Sequence, residues 1–342
     1  MGGTIPKELG LLTSLVSVNF RTNLLIGGRI PDTMQGLTKL TYLEFHSNQM
    51  TGTFPNWIGA LTRLQIFRIS NNQIGGSFPP SISQLSDLEI LAADDNLMTG
   101  DFSQIDSLTR LRLLYLEDNG FSATVDSTLF ANLPALEHLD LSDNSLVGTL
   151  PVHFFQYENL TVLDLHDNGL TQSLPQNIPV NRRLQLLALQ ANSFTGVVPP
   201  SLTNLQALSH LDLSSNNFIG TMPEELGSIS NLKYLFLADT TFDTGPIPST
   251  YQDLTLMEDL SLKASRRNGN IPTWFGELDQ ILLLDLDSNQ LDGSIPTEIG
   301  GMANLRYLLL NRNFLTGTIP SELGNLDVLR RCIPVLTLVL LR

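Results

Sequence analysis

The sequence predicts a solenoid, one domain in which parallel strands and tight turns repeat rung upon rung along a single axis. Three observations predict it. The skeleton L-x-x-L-x-L-x-x-N-x-L/F-x-G-x-I-P, clearest at residues 208–223, returns about every 24 residues along the chain. Its asparagine falls at Asn23, Asn48, Asn72, Asn96, Asn119, Asn144, Asn168, Asn192 and Asn216, gives way to Thr240 and Ser265, and returns at Asn289 and Asn313, marking about 13 rungs. Apolar residues, 42% of the chain, arrive as short regular beats, which builds a core one rung thick and continuous along the axis. An array at a fixed period of this length grows by adding rungs, so 342 residues need no second globule.

Each part of the rung has a physical reason. In L-x-x-L-x-L, as in Leu136-Glu137-His138-Leu139-Asp140-Leu141, apolar and polar residues alternate with period two, the pattern of a strand buried on one face. Such strands line up in parallel, leucines inward and the x residues on a polar outer face. The asparagine turns the chain inward, where its amide satisfies backbone groups that a bend would otherwise bury unpaired. Glycine follows at the next bend, as at Gly52 and Gly148, where close approach or positive φ is needed. Proline comes three residues later, as at Pro55 and Pro151, and having no N–H it suits the start of a short helical turn rather than an inner strand. Residues 321–326, SELGNL, are expected to form such a turn, of 3-10 rather than α type.

The repeats Gly3-Thr4-Ile5-Pro6, Gly293-Ser294-Ile295-Pro296 and Gly317-Thr318-Ile319-Pro320 carry a resemblance. Over roughly residues 2–329 the chain resembles the plant-type subclass of leucine-rich repeats, found in the ectodomains of receptor-like kinases and receptor-like proteins and in polygalacturonase-inhibiting proteins. That resemblance implies an α/β solenoid, a right-handed superhelix with a parallel β-sheet on its concave side and short 3-10 turns on its convex side. It also implies a non-catalytic recognition surface for a protein or peptide ligand, working outside the cell or at its surface. The expected organisation is a repeat domain over residues 1–329, beginning mid-repeat without an N-terminal cap, and an aberrant apolar tail over residues 330–342. The paired-cysteine caps, signal peptide, membrane span and kinase domain of such families do not occur in this sequence, so membrane attachment is expected only through segments outside it. Cys332, the lone cysteine, has no partner in the chain.

Net charge is −15 with a pI near 4.6, which argues against nucleic acid and anionic membrane surfaces as partners, since both need a basic face. Carboxylates gather on the central strand face: Asp94, Asp95, Glu117, Asp118, Glu137, Asp140, Asp143, Asp164, Asp167 and Asp212. Asp140 and Asp164, at equivalent places on adjacent rungs, approach the roughly 5 Å spacing of a retaining glycosidase pair. The face is open to water, though, and nothing in the sequence raises one pKa, so a solvated ladder is expected and no catalytic residue or cofactor. No nucleophile with a partner base and no phosphate loop occurs. His138 and His166 flank those aspartates without making a metal site the expectation, and His46 and His210 are expected to stand apart.

For ligand binding the expected residues are Tyr42, Tyr115, His138, Asp140, Asp164, His166, His210, Asp212, Lys233, Tyr234, Phe236 and Tyr307. Outward aromatic side chains on a strand face suit a protein or peptide interface. The rung at residues 240–271 is irregular, with Thr240 and Ser265 at asparagine positions, Arg267 at a leucine position and Arg266 beside it. An arginine pointed into the core costs several kcal/mol (about 2–7 for an unpaired polar group) unless its head escapes to water. Asn159-Leu160-Thr161 is the one glycosylation sequon. Two other functions fit the same fold: an inhibitor of a secreted polysaccharide-degrading enzyme, and an intracellular scaffold.

Overall fold

The computed structural model describes residues 2–23 and 25–333. It divides into two compact units, Met1–Leu170 and Thr171–Arg342. Of the expected apolar tail over residues 330–342, residues 334–342 lie outside the described residues.

In the first unit the L-x-x-L-x-L segments form the parallel strands Ser17–Asn19, Tyr42–Glu44, Ile66–Arg68, Ile90–Ala92, Leu113–Tyr115, His138–Asp140 and Val162–Asp164. Their register sets leucine position against leucine position, Leu43 beside Phe67 and Leu139 beside Leu163. Those side chains are fully buried. A second set of parallel strands follows the asparagines, from Gly2–Thr4 to Gly120–Phe121. Between the two sets runs a spine of phenylalanines, Phe54, Phe78, Phe121, Phe102 and Phe130, with successive ring centroids 4.9–5.5 Å apart. Aromatic pairs at such separations add to simple burial.

The second unit repeats the plan with Leu186–Ala188, His210–Asp212, Tyr234–Phe236, Asp259–Ser261, Leu283–Asp285 and Tyr307–Leu309. A further strand, Arg331–Ile333, pairs in parallel with Tyr307–Leu309. Among the described residues every helical segment is of the 3-10 kind, as the spacing predicts, and most start directly after the proline of the skeleton. Pro223 before Glu224–Ser228 and Pro272 before Thr273–Glu277 are examples. Gly227 lets neighbouring turns touch, because a Cβ there would lie 2.3 Å from the Thr250 carbonyl oxygen.

The asparagine ladder does what its chemistry requires. Asn96 Nδ2 donates to the carbonyls of Ile69 (3.0 Å), Ala93 (3.2 Å) and Asp94 (2.9 Å), while its Oδ1 accepts the N–H of Ile74 at 3.0 Å. One side chain thus joins two rungs. The residue just before each ladder position adopts positive φ, from Thr22 at 55° through Asp95, Asp118, Asp143 and Asp167 to Arg312 at 53°. Aspartate and asparagine tolerate that region better than most residues, which gives the acidic residues before the ladder a backbone role the sequence pattern does not announce.

Candidate ligand-binding face

Parallel register turns outward positions that are 23 to 25 residues apart into columns. In the first unit one column reads Asn19, Glu44, Arg68, Ala92, Tyr115, Asp140, Asp164. Glu44 is its hub. The carboxylate has no exposed surface, accepts from Asn19 Nδ2 at 2.8 Å and from the Tyr42 hydroxyl, lies 2.8 Å from His46 Nδ1 and is 3.6 Å from Arg68. Burial opposes its charge, but these donors outweigh it and hold the carboxyl below its ordinary range. His46 therefore does not stand apart, and Glu44 is missing from the residues expected at sequence level. Only aligning the rungs brings Asn19, Glu44 and Arg68 side by side.

Further along, charge accumulates. Residues 1–85 carry six Lys and Arg against three Asp and Glu, whereas residues 86–170 carry two against fifteen. Arg110 and Arg112 are engaged at the edge by Asp87, Glu89 and Glu137. Among the described residues Asp94, Asp95, Glu117, Asp118 and Asp140 form no ion pair. The expectation that nothing raises a pKa on this face does not hold. Partial burial and the charges of Asp140 and Asp94 push Glu117 up to about 8. Burial likewise raises Asp94, and Asp95, which is hydrogen-bonded to Asp118, is also raised. At neutral pH Glu117 is largely protonated, a proton store that an arriving cation can discharge.

A stability signature follows. Glu117 is raised in the native state, so its protonated form favours folding and that contribution fades as pH climbs from the ordinary glutamate range through about 8. Glu117→Gln mimics the protonated group. Thermal melts are expected to show the variant gaining on the wild type at pH 8–9 and matching it near pH 5.

The histidines divide into two kinds. Burial lowers the pKa of His138 and of His210, so both act near neutrality as uncharged rings. His138 packs on Tyr115 with centroids 4.5 Å apart. His166 is the reverse: burial alone would lower it, but Asp164 at 2.6 Å from Nδ1, with Asp143 and Asp167, holds its pKa up. Asp143, His166 and Asp167 offer ligand atoms within 4.8 Å of one another, the one such group among the described residues.

In the second unit His210 lies 5.4 Å from Tyr234 and 5.6 Å from Phe236, centroid to centroid, so three predicted residues form one aromatic patch. His210 is no more isolated than His46. Glu258 fixes the patch from the next rung, accepting from Tyr234 Oη at 2.6 Å and Lys233 Nζ at 2.8 Å. Asp212 accepts from the Ser214 N–H at 2.9 Å, and Tyr307 continues the column of Leu283, half-buried.

The irregular rung solves its problem without reaching water. Arg267 is 2% exposed. Its Nε donates to the Ser265 carbonyl (2.9 Å), one terminal nitrogen to Pro246 (3.2 Å) and the other to Asp243. Burial pulls its pKa down, offset in part by Tyr251 and Asp243. Thr240 and Ser265 recover one ladder bond each, to Leu237 at 2.9 Å and Leu262 at 2.6 Å. The second set of strands is interrupted here, between Asn217–Phe218 and Asn268–Asn270, and the guanidinium holds the intervening loop. Arg266 is exposed beside it with a φ of 60°. Asn159 of the sequon sits exposed in a turn, while Thr161 Oγ1 donates to the Glu137 carbonyl at 2.8 Å.

Leucine-rich repeat family models match residues 109–170 and 182–242, and residues 39–61, 63–85, 280–302 and 304–326, together more than half of the chain. No curated protein matches. Among solved structures, the plant peptide hormone receptor RGFR1 in complex with RGF2 is 29% identical with a TM-score of 0.81, over 96% of this chain and 56% of that one. The LRR ectodomain of the membrane receptor kinase GASSHO1/SCHENGEN3 from Arabidopsis thaliana, solved with CASPARIAN STRIP INTEGRITY FACTOR 2, is 31% identical with a TM-score of 0.78, over 96% and 42%. An LRR protein from the bacterium Leptospira interrogans is 29% identical with a TM-score of 0.76, over 95% and 85%. The chain thus spans about half the length of the plant receptors it matches. No described helix is long and apolar enough to cross a membrane. With the asparagine ladder, the 3-10 turns behind G-x-I-P and these matches together, the chain is a leucine-rich repeat protein of the plant type.

Proposed function

We propose that this chain is the recognition module of a cell-surface or extracellular receptor-like protein, binding a peptide or protein segment along the outer face of its main sheet. The observation that carries this reading is the group of carboxylates from Asp94 to Asp164 on the strand face, free of ion pairs at its centre and with Glu117 held protonated by partial burial and the charges of Asp140 and Asp94. Such a face is incomplete electrostatically. A ligand lysine or arginine would relieve the mutual repulsion and lower the Glu117 pKa, which is binding energy gained without any change in fold. The ligand over this unit is therefore a basic segment. In the second unit His210, Tyr234 and Phe236 supply an apolar anchor of the kind that dominates peptide interfaces.

The test is calorimetry with basic, neutral and acidic peptides of equal length. Basic peptides are expected to bind, and Glu117→Gln with Asp140→Asn to weaken them about tenfold, with a reduced salt dependence. Tyr234→Ala with Phe236→Ala is expected to cost about a hundredfold for a ligand that engages the second unit, with an unchanged circular dichroism spectrum. Equal binding of acidic and basic peptides would remove the reading.

A further inference from the structure

We propose that a cleft on the first unit, away from the acidic columns, binds a uronic acid residue of a glycan. The cleft, about 630 Å³, opens between the two prolines Pro31 and Pro55 that precede neighbouring 3-10 turns. That volume lies within the range of small-molecule sites. Its base is apolar, made by the buried Phe54 and Pro55. Its walls are Arg29, Asp32, Gln35, Asn56 and Trp57.

Three features define the ligand. Trp57 is half-buried and its indole is held in place, because Nε1 donates to Asp32 Oδ1 at 3.0 Å. A fixed, partly open indole beside an apolar base suits the flat C–H face of a pyranose ring. Arg29 is exposed and forms no ion pair among the described residues. Its stem lies on Gly52, where a Cβ would come within 2.7 Å of Arg29 Cγ, so the glycine both admits and locates the guanidinium. A guanidinium presented this way takes a carboxylate through two parallel hydrogen bonds. Gln35 and Asn56 are exposed carboxamides that both donate and accept, the capability that vicinal hydroxyls require.

Charge restricts the ligand further. The cleft belongs to residues 1–85, the stretch with six basic and three acidic residues, inside a chain of net charge −15. An anion is tolerated here and repelled along residues 86–170. A neutral sugar would leave Arg29 unused, and an acidic peptide would leave the indole and the carboxamide pair without their partners.

The experiment uses the chain in a Trp274→Phe background, which leaves Trp57 as the sole tryptophan of the two and its emission as the reporter. Short oligogalacturonates are titrated against a neutral galactan of the same length and against oligoglutamate. The expected result is a saturable change in Trp57 emission with the oligogalacturonate alone. In calorimetry Trp57→Ala and Arg29→Gln are each expected to weaken it about tenfold or more, and Trp57→Phe to keep part of the affinity. Arg29→Gln should also erase the preference over galactan. Equal response to galactan, calorimetric binding of oligoglutamate that Trp57→Phe leaves untouched, or oligogalacturonate binding unaffected by Arg29→Gln would overturn the proposal, as would no binding of the oligogalacturonate. None of these outcomes bears on the basic peptide of the sheet face, which Arg29 does not touch.

Discussion

Replacing Asn216 with alanine is expected to destabilise the second unit by about 3–5 kcal/mol. The side chain is 3% exposed. It donates to the carbonyls of Leu189 (2.9 Å), Leu213 (3.2 Å) and Ser214 (3.1 Å) and accepts the N–H of Phe194 at 3.0 Å. Alanine strands all four backbone groups in a place water does not reach, and each stranded group costs about 1–3 kcal/mol before relaxation. Urea denaturation followed by circular dichroism checks this. Asn23→Ala is the control: among the described residues its amide bonds only to Phe20 and Arg21, at the less buried end of the ladder, and the loss should be well under half. Equal losses at the two positions would mean that the ladder does not work through buried bonds between rungs.

The second large effect belongs to Arg267. Arg267→Ala is expected to cost about 3–5 kcal/mol, because it leaves a cavity and removes the donors that satisfy Ser265, Pro246 and Asp243. Arg267→Leu is the informative comparison. Leucine is the residue the skeleton carries here, and replacing a buried charge with a well-packed apolar residue is often neutral. The leucine variant should recover most of the loss in global stability, measured through Trp274 emission, yet leave loop 241–248 exchanging its amides faster. If leucine is as damaging as alanine, the three carbonyl bonds matter more than the filled volume, and the loop is part of the core rather than an appendage to it.

These two residues also mark how far the sequence can be read. Asn216 belongs to the period itself, and a period is a local property repeated, so strands, ladder and 3-10 turns were all legible from spacing. Arg267 was legible as a breach of the period. Its resolution was not, because two of the three accepting carbonyls, those of Asp243 and Pro246, belong to a loop more than 20 residues earlier whose path the pattern does not specify. Of the binding face, the outward aromatics and aspartates could be picked out one strand at a time. Glu44 could not, since its environment comes from Asn19 and Arg68 on the flanking rungs. The same holds for Glu117: its raised pKa comes from burial in the stacked face and from the charges of Asp140 and Asp94 on neighbouring strands, neither of which its own sequence neighbourhood shows. The cleft at Trp57 was missed because it lies off the sheet face, between turns that the repeat presents as interchangeable.

The most direct test of the account is a proton count. A basic peptide that binds the first unit should be titrated calorimetrically at pH 7 in phosphate and in Tris, whose ionisation enthalpies differ widely. If the ligand's cation meets Glu117 among the carboxylates of Asp94 and Asp140, its carboxyl must ionise, and the apparent enthalpies should differ by the release of about one proton per peptide bound. Glu117→Gln should abolish the difference. Tight binding with the same enthalpy in both buffers would contradict the account, because it would place the ligand away from the acidic columns of the sheet.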